Sequence, residues 1–490
     1  MTLRRLSKYI LLTAACVCAV ILSSCGNVDS SGDLSSDANT VSSDVSASVT
    51  NAEQPLGDIT QESTPTQTDT AYTNDSVSNA PQQTSSDKAQ DKPSGNTQKD
   101  PGGAVSGKEP AQTSSATGTQ RPAETGSTDV QPPFKPAEVL PAIDSREVLI
   151  GMLKEDRFKA AARIVMQGVE QGNSNIVINS GILKISEIDA FMPFISMLEA
   201  ESYVTPLRYT YTYDEVSGYV TGIKISNYSK TTEEYNQEKQ AVQKLVKSVV
   251  AEANKSCATQ YDKVIYFHDY IVKNCVYDNE NQGVDVASAY GCLINKKAVC
   301  EGYSKAMMLL CNEAGIKCTL VTGNVQRNGE DLGHMWNMIN IDGVWAHVDV
   351  TWDDVVVNNE NLCCYSYFGL TDRQILTDHN ITELSIAEPI KAESTAADYH
   401  IKKGCYINSQ ANVSRTLESA VDNSVKNGSQ IVSLRCADDS IYSALYGMIT
   451  SDVYKYVNAS CEKYGRSVKS VRMMEQKELG TIVIILNYNG

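Results

Sequence analysis

The stretch Gly333-His334-Met335-Trp336-Asn337-Met338-Ile339-Asn340-Ile341-Asp342-Gly343-Val344-Trp345-Ala346-His347-Val348-Asp349-Val350-Thr351-Trp352 decides the fold of the centre of this chain. Two alternating runs flank Asp-Gly, a pair that favours the two-residue turn of a β-hairpin because both positions tolerate positive φ. Such a turn sets the pairing: Ile341 opposite Val344, Ile339 opposite Ala346, Trp336 opposite Asp349 and His334 opposite Thr351. One face then carries Met335, Ile339, Ile341, Val344, Ala346, Val348 and Val350, interrupted by Asn337, whose amide should satisfy a buried backbone group. The other carries His334, Trp336, Met338, Trp345, His347, Asp349 and Thr351. His334 and Asp349 become diagonal neighbours with backbones about 7 to 8 Å apart, within reach of an imidazole–carboxylate hydrogen bond. A carboxylate so placed holds the imidazole tautomer while the other ring nitrogen serves a nucleophile. An exposed strand face can also carry His and Asp without purpose. All three tryptophans of the chain fall in these strands, however, so this face is expected to line a covered cleft.

Upstream, Val299-Cys300-Glu301-Gly302-Tyr303-Ser304 leads into apolar positions at Tyr303, Met307, Leu310 and Ala314 and stops at Gly315. That spacing opens a helix at Cys300. Helix N-termini carry partial positive charge and favour thiolates in general, although buried structural cysteines at helix starts are common. Glu301 reads as a favourable first-turn charge. His268 falls on the apolar face of a helix with Tyr261, Val264, Ile265, Ile271 and Val272 and is expected to be packed in the core.

Taken together, Tyr290-Gly291, the run from Asn295 to Ser304, Gly333-His334-Met335-Trp336-Asn337 and His347-Val348-Asp349-Val350-Thr351-Trp352-Asp353 resemble bacterial members of the transglutaminase-core superfamily, relatives of papain-like cysteine peptidases. The resemblance implies an α+β papain-like core in which Cys300 is the nucleophile, His334 the base and later acid, and Asp349 the orienting carboxylate. Trp336, Trp345, His347 and Tyr303 are candidates for the substrate cleft. No clear Gln or Trp upstream offers an oxyanion-hole side chain, which leaves the Cys300 backbone N–H as the donor to name. No acidic calcium loop is found, and no cofactor is implied.

Outside residues 256–378, which carry this chemistry, the chain divides by composition. Arg4, Arg5 and Lys8 precede an apolar run from Ile10 to Leu22 and then Ser23-Ser24-Cys25-Gly26. The run is too short to span a bilayer and suits a secretory signal over residues 1–25. Leu22-Ser23-Ser24-Cys25 resembles a bacterial lipobox, which implies acylation of Cys25. Residues 26–136 are rich in Ser, Thr, Asp, Gln, Pro and Gly and lack the apolar surface to offset chain entropy, so a disordered tether is expected. At roughly 110 residues its relaxed span is about 55 to 60 Å. Residues 141–254 read as an N-terminal region with helices near 145–167 and 186–200, a strand at 175–178, a hairpin of 208–213 with 219–225, and a polar helix from Thr232 to about Ala253. Residues 397–490 read as a small α+β accessory unit, with strands at 400–407, 430–435 and 481–486 and helices at 414–425 and 452–464.

The formal net charge of -17 argues against nucleic acid, which asks for a basic face. Of 14 cysteines, Cys16, Cys18 and Cys25 belong to the signal. The others show no C-x-x-C spacing, so no metal site is expected; apart from Cys300 they suit either disulfides or buried thiols. The expected protein is therefore an exported lipoprotein on the outer face of a bacterial cytoplasmic membrane, held to the bilayer through Cys25 and reaching into the cell wall. Its expected partner is a protein or peptide whose amide forms a thioester with Cys300 and passes to water or an amine. The competing reading is a non-catalytic surface module that binds protein through the same cleft or through the C-terminal unit.

Overall fold

The computed structural model describes residues 57–59, 135–202, 209–225, 228–278, 283–327 and 330–489. The expected signal with Cys25, and the tether apart from 57–59 and 135–136, lie outside the described residues. Within the tether, Gly57–Ile59 pairs antiparallel with Val471–Met473 at a sheet edge, so these three residues depart from the expected lack of regular structure. No helix of the described residues is long and apolar enough to cross a membrane.

The fold is α+β. Its central sheet has five antiparallel strands in the order Phe368–Leu370, Val344–Val348, Glu330–Ile341, Cys318–Arg327 and His379–Ile381. Asp342 (φ 53°) and Gly343 (φ 87°) make the hairpin turn, as a two-residue connection between twisted strands requires. Ile341 faces Val344, Ile339 faces Ala346 and Asn337 faces Val348. There the ladder ends, so Trp336 and Asp349, and His334 and Thr351, are not paired as expected. Asp349 instead donates its backbone N–H to the Tyr367 carbonyl (3.1 Å), and its carboxylate Oδ1 accepts the N–H groups of Thr351 (3.0 Å) and Trp352 (3.2 Å). The side chain thus bends the strand out of the hairpin.

One face of this sheet receives the helix Cys300–Glu313. Met335, Ile339, Ile341, Ala346, Val348 and Val350 are buried against it. The expected role of Asn337 holds: its amide donates to the carbonyls of Ser304 (2.9 Å) and Thr319 (3.3 Å), while the Ser304 hydroxyl donates to the Met335 carbonyl (2.8 Å). Helix and strand are locked in axial register by these bonds. The opposite face is covered as well, by Tyr367, Leu370, Ile375 and Leu479 around Trp336.

The N-terminal region shares one continuous core with the central sheet, running from Leu149 to Ala397. Its expected first helix is two, Ser145–Gly151 and Asp156–Glu170; between them Leu153 forms a bridge to Ala387, which breaks the helical ladder. The expected hairpin forms as Tyr209–Tyr213 with Val220–Ile225, and Asn175–Val177 joins its edge.

The C-terminal unit is a sheet with Val413–Asn427 and Asp439–Tyr464 as its helices. The strand expected at 400–407 is largely absent. Asp398 accepts the N–H groups of His400 (2.8 Å) and Ile401 (3.3 Å) and starts a short helix, Tyr399–Lys402, leaving Tyr406–Ile407 as strand. Nor is the unit a detached accessory. Ile431, Met474, Val483 and Ile485 pack on Val357 and Cys364 of the central domain. Arg435, buried, pairs with buried Asp398 (2.6 Å) and donates to Thr481 Oγ1 (3.0 Å) and to the Ser366 carbonyl.

Removing one partner of such a buried pair leaves the other charge unsolvated. Arg435→Ala is expected to lower the free energy of unfolding by about 3 to 5 kcal/mol. Denaturant titration checks this, and a loss under about 1 kcal/mol would show that the docking does not depend on Arg435.

Candidate active site

Cys300 is the first residue of its helix; the preceding Val299 adopts extended backbone. Gly302 permits the approach of this helix to the 286–288 segment, since a Cβ there would lie 2.5 Å from the Val286 carbonyl oxygen and 2.8 Å from the Ala298 Cβ. The helix start is thereby pressed into the core, and Cys300 is 2 % exposed.

His334 meets it from the strand. The ring places Nε2 2.6 Å from Asp349 Oδ2, and the Cys300 sulfur is near enough to the same imidazole to raise its pKa. With Nε2 committed to the carboxylate, Nδ1 is left for the thiol. The structure therefore brings Cys300, His334 and Asp349 together, although the last pair is joined by the bend at Asp349 and not by continued pairing of the hairpin.

Burial alone pushes the His334 imidazole down, but the Asp349 carboxylate and the Cys300 sulfur together hold it up at about 10. Burial pushes Asp349 up; the adjoining His334, with His379, overrides it and holds the carboxyl well below the usual range. An imidazolium on a carboxylate is the consistent state at neutral pH.

The expected cleft residues serve other ends. Trp336 is 1 % exposed; its ring stacks on His334 with centroids 5.8 Å apart, and its indole N–H donates to His347 Nδ1 (3.0 Å). His347 is buried and reaches Asp372 Oδ1 through Nε2 (3.0 Å). Burial lowers its pKa despite that carboxylate, in keeping with a neutral ring that accepts from tryptophan. Tyr303 is buried beneath the site, its hydroxyl donating to Asp354 Oδ2 (2.8 Å). Trp345 is half-buried and lines a separate cavity of about 300 Å³ at the hairpin tip, with Gln260, Asp342 and Gly343. Trp336, His347 and Tyr303 are thus buried, and Trp345 lies at the hairpin tip. Alternation places residues on a common face, but it does not say whether another layer covers that face.

Glu301 pairs with buried Lys305 (2.7 Å), consistent with a structural charge. His268 is buried as expected, but between carboxylates: its ring nitrogens face Asp269 and Asp353 at 3.2 Å each. All eleven cysteines from Cys257 to Cys461 are free thiols, and all but Cys405 are buried.

His379 escaped the sequence reading. Its Nε2 lies 3.1 Å from Asp349 Oδ2 and its Nδ1 2.6 Å from Asp378 Oδ1. A signal existed, because only five histidines occur and His379 follows an aspartate in a β-prone run. Among the described residues two groups, His334–Asp349–His379 and His268–Asp269–Cys363, each gather three metal-ligating atoms within 4.8 Å. The 2.6 Å between His334 and Asp349 is a hydrogen-bond length, shorter than the roughly 3.3 Å between neighbouring ligands on tetrahedral zinc. In the second group Asp269 is already engaged by Lys273 (3.0 Å) and the Tyr365 hydroxyl (2.8 Å). Both are read as hydrogen-bond networks.

Residues 247–350 match the family model of the transglutaminase-like superfamily. These residues form a transglutaminase-like domain. Its matched start lies within the helix Thr232–Ser256, ahead of the boundary at 256 expected from sequence. The chain is 31 % identical over 74 residues to the kyphoscoliosis peptidase of Mus musculus, covering 14 % of this chain and 11 % of that protein. Among solved structures it is similar to a TGase (18 % identity, 27 % of this chain and 41 % of that one, TM-score 0.21). Another is a candidate cysteine protease from Cytophaga hutchinsonii (16 % identity, 32 % and 56 %, TM-score 0.20). Structural overlaps this slight do not bear on activity.

The transglutaminase-like site carries a titration that can be measured. Because the His334 pKa is raised, its pairing stabilises the fold fully below about 6.5, and that contribution is lost as pH rises through about 10. Histidine-resolved NMR should find His334 titrating near 10. In Asp349→Asn the carboxylate is gone while burial remains, so the midpoint should fall from that value. An unchanged midpoint in that variant would mean that Asp349 does not set the charge of the ring.

Proposed function

We propose that this chain is an exported cysteine enzyme that forms a thioester from an amide of a protein or peptide, at a peptide bond or a glutamine side chain. The observation that carries this reading is the convergence of Cys300, His334 and Asp349. A helix start, a strand and a strand end, far apart in sequence, bring a thiol close to an imidazole that is hydrogen-bonded to a carboxylate. A module that only bound protein would have no use for a thiol beside a histidine held protonated.

The steps follow from the geometry. The Cys300 sulfur, as thiolate, attacks the amide carbon, and the carbonyl oxygen becomes an oxyanion facing the Cys300 backbone N–H at the helix start. The C–N bond breaks as His334 passes its proton to the departing nitrogen, leaving a thioester. Water or an amine then attacks; His334 takes its proton, and the C–S bond breaks to restore the thiolate. Asp349 keeps Nε2 protonated throughout and holds the ring in place. Water is the favoured acceptor, being always available at an exposed surface.

Location belongs to the same proposal. The basic start, apolar run and Leu22-Ser23-Ser24-Cys25 sequence support export and acylation of Cys25, which would hold the enzyme at the outer face of a cytoplasmic membrane, with residues 26–136 as spacer to the cell wall. Cys25→Ala is expected to leave the protein uncleaved or release it into the medium; efficient secretion with unchanged membrane partitioning would remove the anchor.

For the chemistry, Cys300→Ala and His334→Ala should each abolish turnover of glutamine-containing peptides. Asp349→Asn should lower the rate by about 10⁴-fold with the fold retained. Ammonia release and peptide mass separate the acceptors: a free carboxylate product identifies water, an amine adduct identifies transfer. Wild-type rates in Cys300→Ala would refute the reading.

A further inference from the structure

Asp349 Oδ2 is shared. His334 Nε2 approaches it at 2.6 Å and His379 Nε2 at 3.1 Å, while Oδ1 accepts two backbone N–H groups. His379 does not rest there by chance of packing. Its strand lies on the edge of the central sheet with His379 opposite Val325 and Ile381 opposite Gly323. Gly323, itself opposite His334, makes this approach possible, because a Cβ there would collide with the Asn380 carbonyl and lie 2.9 Å from the Trp336 ring. The far side of the His379 ring is held as firmly. Nδ1 is 2.6 Å from Asp378 Oδ1, and Asp378 in turn accepts the Tyr367 hydroxyl (2.6 Å). Trp336, Trp352 and Tyr367 surround the ring at centroid distances of 5.0, 4.8 and 5.5 Å. His379 is 1 % exposed, so no water competes for the bond to Asp349.

We propose that His379 is a positioning residue of the site: clamped by Asp378 and an aromatic cage, it fixes the Asp349 carboxylate in the orientation from which Oδ2 meets His334. This rests on the reading of Cys300, His334 and Asp349 given above. A carboxylate has rotational freedom about its Cβ–Cγ bond, and the two backbone donors restrain only Oδ1. Sharing Oδ2 between two rings holds the second oxygen, so that His334 is presented to Cys300 in one orientation. The His379 ring lies 5.4 Å from that of His334 between centroids, but its hydrogen bond goes to Asp349, and it is through that carboxylate that it positions the base.

The test is the rate of alkylation of Cys300 by iodoacetamide, mapped by mass spectrometry, which needs no knowledge of the natural substrate. His379→Leu removes the donor and should slow Cys300 alkylation by about a hundredfold. His379→Gln, whose amide nitrogen can occupy the place of Nε2, should recover most of the rate. In an Asp349→Asn background His379→Leu should change the rate by less than about twofold, since groups that act as a unit do not add. A folded His379→Leu with the wild-type rate, or one whose full effect persists in Asp349→Asn, would overturn the inference. If His379→Leu does not fold, the comparison of His379→Gln with His379→Asn decides: Asn places its amide toward Asp378, and equal rates for the two would also overturn it. Failure of the wild-type Cys300 to react faster than the other thiols would instead sink the proposed function itself, and this inference with it.

Discussion

A single buried carboxylate organises the site. Asp349 accepts from two imidazoles and two backbone N–H groups, a full complement for its two oxygens. Hydrogen bonds to an ionised acceptor in a dry interior are each worth about 1.5 to 3 kcal/mol. The same charge unsatisfied would be among the costliest defects the core could hold. Its bonds therefore set local structure and chemistry at once: they turn the chain out of the hairpin after Val348, and they hold His334 protonated.

Around this carboxylate the molecule builds outward in layers. Trp336 stacks on His334 and is pinned by His347, which is pinned by Asp372. Tyr367 ties its backbone carbonyl to Asp349 and its amide to Asp353 Oδ1 (2.8 Å), which also faces His268 through Oδ2. Leu479 of the C-terminal unit reaches into the cluster around Trp336, and Arg435 fastens that unit through the Ser366 carbonyl, next to Tyr367. The part of the chain without chemistry of its own is thus part of the packing that keeps the site dry, and a dry site strengthens each charge interaction within it.

How far this was legible in sequence depends on the range of each signal. Asp342-Gly343 and the alternation beside it are local, and they yield the hairpin and its core face; the bend that carries Asp349 to His334 depends on Tyr367 and on the carboxylate itself. The helix at Cys300 is local too. The covering layer comes from 367–381 and from Leu479, whose return to this face no local pattern announces, so Trp336 and His347 look like cleft residues until the layer is seen. His379 lies 30 residues beyond its partner (|i−j| = 30) on a three-residue strand, too short for periodicity to register. The break at Leu153 and the helix at Tyr399 follow from a distant bridge and from a cap at Asp398, and propensity is indifferent to the first. Arg435 within the run Ile431–Cys436 was the clearest unread sign, because a lone charge in a buried strand calls for a buried partner.

The proposed chemistry singles out Cys300 among the eleven free thiols of the described residues. It is tested most directly by treating the native protein with a peptide electrophile at less than one equivalent, quenching in acid and mapping the adduct by mass spectrometry. Modification confined to Cys300, and lost in His334→Ala, is the result this arrangement predicts; a first adduct on any other cysteine, or labelling of Cys300 that is indifferent to His334, would contradict it.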